Sequence, residues 1–185
     1  LDFNVARFLK RAKASGYYEN SIFVFFGDHR GGMKKLSFLK NNEDALGIQV
    51  HHVPFFIHSP RYVQPREVSK YAKLIDVFPT ATSLAKIDYD NYTLGRDLLD
   101  SATTNTAAFV YLQNKGEKAV GLLKDGYYLE KTNSSKKISL FSLETNSIEN
   151  IKLEKPEIAM AMDSLLSGYY HSTKYLYFNN KKETK

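Results

Sequence analysis

The chain has 185 residues, of which 43% are hydrophobic and 14% aromatic, so it is not intrinsically disordered and is long enough for one substantial domain or part of a larger one. Its formal charge of +6 comes from lysines scattered along the sequence, apart from the terminal KKETK, and this pattern does not predict a nucleic-acid partner. Cysteine is absent, which excludes disulfides and thiolate metal sites, and no segment reaches the roughly 20 apolar residues that cross a bilayer.

The first predicted element is an amphipathic helix at the start of the chain. Val5, Phe8, Leu9 and Ala12 recur at the three-and-four spacing of one buried face, and Gly16 is a suitable C-terminal stop. The chain begins with Leu, and its first residues resemble the middle of a domain. We therefore expect that an upstream segment of a longer protein carried any targeting or anchoring sequence.

Two short apolar runs follow, and we expect both to be buried strands. Residues 21–26 are too short for a buried helix and rich in aromatic and branched side chains, and residues 53–60 repeat this pattern before a proline. A helix is predicted within KYAKLIDVFPTATSLAKI, with Asp76 as a cap and Pro79 in its first turn. This order predicts an α/β fold with a mostly parallel sheet flanked by helices.

The pattern changes after Asp100. AAFVYL at 107–112 predicts a strand, and Asp125-Gly126 between two strand-like runs predicts a tight hairpin. KKISLFSLE adds a strand, PEIAMAMDSLLSGYY a helix, and KYLYFNN a short aromatic end. We expect residues 1–102 to form part of an α/β domain, which the resemblance described below implies is a catalytic one. Residues 103–185 are expected to form a small antiparallel sheet with a terminal helix, packed on the same domain.

Asp28 and His29 stand where the first apolar run ends. Ligands of open α/β sheets bind beyond the carboxyl ends of the strands, and carboxylate and imidazole groups both bind Zn²⁺ or Mn²⁺. An ordinary loop with an exposed histidine is the alternative, because two ligands do not make a site. The remaining histidines are expected to be structural, and no nucleophile elbow, Walker loop or HExxH helix is present.

Four segments, in order, resemble the sulfatase-type metalloenzymes of the alkaline phosphatase superfamily, and most closely the branch with lipoteichoic acid synthases and other phosphoglycerol transferases. They are ENSIFVFFGDHRGG, HHVPFFIHSP, KLIDVFPTATSLAKI and TLGRDLLD. The hairpin region and YYHSTKYLYFNNKK also resemble the ends of such enzymes. The resemblance implies an incomplete alkaline-phosphatase-like fold, of which this chain is the C-terminal part.

The resemblance also implies a site. Asp28 and His29 correspond to ligands of a divalent metal, whose identity (Mn²⁺, Zn²⁺, Mg²⁺ or Ca²⁺) stays open, while the nucleophile and a further acid belong to an upstream segment. No catalytic nucleophile is therefore expected in this chain. Relatives often place a basic side chain in the loop after the metal pair, where it contacts the anionic substrate. The candidates are Lys34, Lys35, Lys40 and His52, and Arg30 departs from the small residue usual in that loop.

Two hypotheses follow. In the first, the parent is a metal-dependent enzyme that transfers or cleaves a phosphodiester or sulfate ester, with a lipid head group or a glycan as the substrate, on the outer face of a bacterial membrane or in the periplasm. The isolated chain is then inert, because its partner is the missing N-terminal part of the same protein. In the second, the parent has lost catalysis and serves as a binding or scaffold module of the cell envelope.

Overall fold

The computed structural model describes residues 2–29, 41–104, 106–114 and 117–180. The helices in these ranges are α1 (Asp2–Ala14), α2 (Asn41–Ala45), α3 (Val77–Ala85) and α4 (Pro156–Asn179). The strands are β1 (Phe23–Phe26), β2 (Phe55–His58), β3 (Ala108–Asn114), β4 (Glu117–Lys124), β5 (Tyr127–Thr132) and β6 (Ile138–Ser142). Short 3₁₀ turns occupy Tyr18–Asn20, Ile48–His51 and Leu74–Asp76.

Helix α1 confirms the predicted helix, although Phe8 on its predicted buried face is 45% exposed. It ends at Ala14, and Gly16 follows with a positive φ of 80°, the conformation that glycine adopts most easily after a helix. Ala12 is fully buried, and the ring of Phe8 packs edge-on against Phe23 with the ring centroids 5.7 Å apart. The helix therefore lies against the start of β1.

Strands β1 and β2 form a two-stranded antiparallel sheet in which Phe23 lies opposite His58 and Phe26 opposite Phe55. The predicted parallel sheet is not confirmed, because all strand pairs in the described ranges are antiparallel. The prediction that β1 is a buried strand holds only in part, since Phe23 is buried but Phe26 is 52% exposed. An apolar run shows that a strand is hydrophobic, but it carries no information on the direction of its neighbour.

Strands β3 to β6 form a four-stranded antiparallel sheet in sequence order. The predicted hairpin is confirmed: Lys124 pairs with Tyr127, and Asp125 and Gly126 both have positive φ, as a type I′ turn requires. Antiparallel neighbours joined by short turns need no crossover helix, so the sheet follows directly from the local sequence.

This sheet is covered on both faces. Helix α4 packs on one face, where the buried side chains are Ala107, Val120, Leu122, Leu129, Leu140, Ala159, Met162 and Leu166. On the other face, the segment after α2 packs against the sheet, and the buried side chains are Leu46, Ile48, Val110, Leu112, Ala119, Tyr128 and Leu143. The prediction of a separate aromatic end is wrong, because α4 continues through KYLYFN to Asn179.

Helix α3 begins directly after Asp76 with Pro79 in its first turn, as predicted, and is joined to the segment that follows it. Asp76 does not cap α3 through its side chain; its buried carboxylate accepts hydrogen bonds from the backbone N–H groups of Lys73 (2.8 Å) and Arg96 (2.9 Å). The hydroxyl of Thr80 accepts a hydrogen bond from the N–H of Leu98 at 3.1 Å. The two motifs, IDVFPT and GRDLL, are thus held together by buried hydrogen bonds.

The two parts of the chain also touch each other. The hydroxyl of Thr106 accepts a hydrogen bond from the N–H of Tyr71, and the Tyr71 hydroxyl accepts one from the N–H of Gly126, both at 3.1 Å. The side-chain amide of Asn42 donates to the carbonyl of Ser142 at 3.1 Å. The division near residue 102 stays a prediction.

Candidate metal centre

Asp28 and His29 are positioned by the end of β1. The N–H of Gly27 donates to the carbonyl of Pro54 at 3.0 Å, and a Cβ at Gly27 would lie only 3.0 Å from the Cβ of Val53. The glycine allows this close approach, and its φ lies outside the left-handed region. Just before Asp28 and His29, the backbone at Gly27 is therefore held against the segment that precedes β2.

The two side chains lie side by side and face solvent. Nε2 of His29 lies 3.6 Å from Oδ2 of Asp28, and the side chains are 72% and 83% exposed, respectively. The N–H of His29 donates to Oδ1 of Asp28 at 2.8 Å, and this hydrogen bond, helped by the imidazole charge, lowers the pKa of the Asp28 carboxyl below its usual value. Asp28 is therefore ionised at neutral pH and leaves Oδ2 open to a ligand.

This donor pair fits a divalent cation as half of a ligand set. Two ligand atoms about 2.1 Å from one ion in tetrahedral geometry lie about 3.4 Å apart, close to the separation of Nε2 and Oδ2. A carboxylate and an imidazole suit Zn²⁺ or Mn²⁺. Within the described ranges, no group of three or more His, Cys, Asp or Glu side chains is placed to hold a metal ion.

His52 lies at the same edge of the sheet as this pair. β1 and β2 are antiparallel, so the residues that follow Phe26 and those that precede Phe55 lie at the same end of the two-stranded sheet. The imidazole Nδ1 of His52 lies 3.5 Å from Oε2 of Glu43, and the His52 side chain is 66% exposed. The sequence did not indicate this contact, because eight residues and no recognisable motif separate Glu43 from His52.

His58 lies at the opposite end of the two-stranded sheet, and the candidate basic residues lie outside the described part of the chain. His58 lies opposite Phe23, about 10 Å from the end of β1, and its Nε2 lies 2.7 Å from the Tyr18 hydroxyl, which supports the structural role that we expected. Lys34, Lys35, Lys40 and Arg30 lie outside the described residues. Their role at the site stays a prediction.

A family model for sulfatases matches residues 1–87, the part that contains β1, β2, α3 and the Asp28–His29 pair. Residues 1–87 are therefore similar to the sulfatase family. The match extends from α1 to the end of α3, and it includes three of the four motifs on which the resemblance was based.

The chain is also similar to curated relatives. It is 35% identical over 107 residues to lipoteichoic acid synthase 2 of Bacillus subtilis, in a match that covers 54% of this chain and 16% of the relative. It is 27% identical over 180 residues to a lipoteichoic acid synthase of Staphylococcus aureus, covering 91% of this chain and 26% of the relative. The chain thus spans about a quarter or less of the length of these proteins.

Solved structures support the fold over nearly the whole chain. Ps i-CgsB has a TM-score of 0.72 at 15% identity, in a match covering 92% of this chain and 41% of that one. A 2-O GAG sulfatase has a TM-score of 0.63 at 18% identity, covering 94% of this chain and 41% of that one. At these identities the likeness shows the fold, and it extends the sulfatase-like architecture through α4. Within the described ranges, no helix is both long and apolar enough to span a membrane.

Proposed function

We propose that the chain is the C-terminal part of a metal-dependent enzyme that transfers a phosphoglycerol group, and that Asp28 and His29 supply half of its metal ligands. The observation that carries the proposal is the exposed Asp28–His29 pair at the end of β1, in a segment that is similar to the sulfatase family. The similarity to lipoteichoic acid synthases favours a phosphodiester substrate over a sulfate ester.

The chain's own residues hold and orient the site. Asp28 presents an ionised oxygen, and the backbone hydrogen bond from His29 restrains the carboxylate next to the imidazole. When bound, a divalent ion neutralises charge on the phosphoryl oxygens and lowers the pKa of a nearby hydroxyl. The nucleophile and the other acidic ligand are supplied by the part of the protein that precedes this chain.

Exposed aromatic side chains on β1 and β2 support an incomplete domain. Phe26 is 52% exposed and Phe56 is 47% exposed, although strands of this composition are usually covered in a folded protein. We propose that the upstream part of the enzyme covers these rings, and that the 185-residue chain alone has no turnover. We also propose that the parent acts at the outer face of a bacterial membrane or in the periplasm, on an anionic ester of a lipid head group or a glycan.

The first experiment uses the full-length parent with Asp28→Asn and His29→Gln together. We expect loss of bound Mn²⁺ or Zn²⁺, measured by elemental analysis, and a fall of more than about 100-fold in phosphoglycerol transfer from phosphatidylglycerol. Asp88→Asn with His171→Gln is the matched control, because both residues are exposed and lie on other elements. Unchanged metal content and activity in the first variant would contradict the proposal.

A sulfuric ester hydrolase is the second candidate, favoured by the likeness of the fold to a 2-O GAG sulfatase. Assaying the parent with an aryl sulfate separates the two, because a transferase releases no sulfate. A parent that binds metal but acts on neither ester supports a scaffold module. The identity of the upstream nucleophile is a second criterion, since a threonine favours transfer and a cysteine or serine favours sulfate hydrolysis.

A further inference from the structure

The ladder of hydrogen bonds between β1 and β2 ends at one bond. Phe26 lies opposite Phe55, so the same register brings Gly27 opposite Pro54. The N–H of Gly27 donates to the carbonyl of Pro54 at 3.0 Å, but proline has no N–H with which to complete the pair of bonds usual at such a position. This single bond is therefore the last ladder contact before Asp28.

No space is left for a side chain at position 27. A Cβ there would lie 3.0 Å from Cβ and 3.2 Å from Cγ1 of Val53, and 3.5 Å from Cδ of Pro54. Carbon atoms pack best at about 3.5–4.0 Å, so the two contacts with Val53 are overlaps of up to about 0.5 Å. The φ of Gly27 is not in the left-handed region, so the backbone conformation does not demand glycine. The requirement for glycine here comes from space.

We propose that Gly27 is a positioning residue for the metal ligands. A side chain at this position separates β1 from the segment before β2 and lengthens the bond between Gly27 and Pro54. Asp28 and His29 follow directly, so they move with the backbone out of the positions from which they bind. A shift of about 0.5 Å exceeds the tolerance of about 0.2 Å on metal–ligand distances. This inference rests on the proposed function, because it concerns the same metal site.

The test is calorimetric titration of the metal-free, full-length parent with Mn²⁺ and, in parallel, with Zn²⁺. We expect Gly27→Ala to raise the Kd of the ion that the parent binds by about 10–100-fold, as when a contact that supports a ligand is lost. Val53→Gly alone removes the neighbouring Cβ and should change the Kd by no more than about twofold. Gly27→Ala together with Val53→Gly restores the space, and the Kd should return to within about twofold of the unmodified parent.

Further measurements separate positioning from a general loss of structure. The visible absorption spectrum of Co²⁺, bound in place of the native ion, reports the coordination geometry. It should change in Gly27→Ala and return in the double variant, while circular dichroism shows the same fold throughout. Gly168→Ala is the matched control, because it adds the same methyl group where nothing lies within 4 Å, and its Kd and spectrum should be unchanged. If Gly27→Ala alone does not fold, the double variant decides.

Two results overturn the inference. The first is an unchanged Kd in a folded Gly27→Ala variant. The second is a double variant that does not fold or that binds no better than Gly27→Ala, because lost space is then not the cause. Failure of the proposed function looks different, since the metal content is then the same in the parent and in Asp28→Asn with His29→Gln. That result removes the inference together with the function on which it rests.

Discussion

At the scale of single residues, Tyr128 shows how burial controls a titratable group. Its side chain is fully buried beneath the α2 side of the sheet, and its hydroxyl donates to Oε2 of Glu130 at 3.2 Å. Burial, with a smaller contribution from the Glu130 charge, raises the pKa of the Tyr128 hydroxyl far above its usual value. The phenol therefore stays neutral in the folded chain at pH values where an exposed tyrosine ionises.

This raised pKa predicts a loss of stability in alkali. Below about pH 10 the tyrosine is protonated in both states, but above it the unfolded chain loses the proton that the folded chain retains, so the free energy of unfolding falls. Tyr128→Phe should remove up to about 1.4 kcal/mol per pH unit of this decline. Urea unfolding of both proteins between about pH 8 and pH 11 measures the difference, with the other tyrosines common to both. If the free energy of unfolding falls equally with pH in the two proteins, the burial of an un-ionised Tyr128 phenol is contradicted.

At the scale of elements, Gly121 in the middle of β4 makes room for that same ring. A Cβ at Gly121 would lie 2.5 Å from Cε2 of Tyr128, its diagonal neighbour on the same face of the sheet. Gly168 in α4, by contrast, has nothing within 4 Å of a Cβ. Packing therefore requires a glycine at position 121, whereas a side chain at position 168 would meet open space.

The two glycines give opposite predictions for one substitution. Gly121→Ala should lower the free energy of unfolding by about 1–3 kcal/mol, because Tyr128 cannot move within a packed core. Gly168→Ala should raise it by about 0.5–1 kcal/mol, because alanine is the better helix former. Chemical denaturation of both variants measures these changes. Equal effects in the two variants would show that Tyr128 does not pack over Gly121.

The junction between α3 and the GRDLL segment depends on one carboxylate. Asp76→Ala leaves the buried N–H groups of Lys73 and Arg96 without this acceptor, which should cost about 1–3 kcal/mol. Asp90→Ala is the control, because Asp90 is exposed and its change should stay within about 0.5 kcal/mol. Thermal unfolding is the measurement. If Asp76→Ala lowers the free energy of unfolding no more than Asp90→Ala does, the Asp76 carboxylate does not stabilise the junction between the two motifs.

At the scale of the whole molecule, stability is unevenly distributed. Both buried clusters lie on the two faces of the β3–β6 sheet, while the β1–β2 pair has only two strands and exposed rings at Phe26 and Phe56. A two-stranded sheet is marginally stable without a covering layer. The site therefore lies on the less stable part of this chain.

Amide hydrogen exchange tests this distribution. We expect β4 and β5, which are central in their sheet, to exchange much more slowly than β1 and β2 in the isolated chain. In the full-length parent, β1 and β2 should become protected if upstream residues cover them, while β4 and β5 change little. Equal protection of the two sheets in the isolated chain would contradict this prediction.

Local chemistry in the sequence was sufficient for several features. The helix spacing of α1, the Asp125-Gly126 turn and the polar pair after an apolar run are each encoded within a few residues, so they were predicted with their positions, and the order of motifs indicated the sulfatase family. The direction of β2, the pairing of Asp76 with Arg96, the contact of His52 with Glu43 and the continuation of α4 to Asn179 were decided only by the tertiary structure. These depend on which distant segments meet, and periodicity within one segment carries no information about its partner.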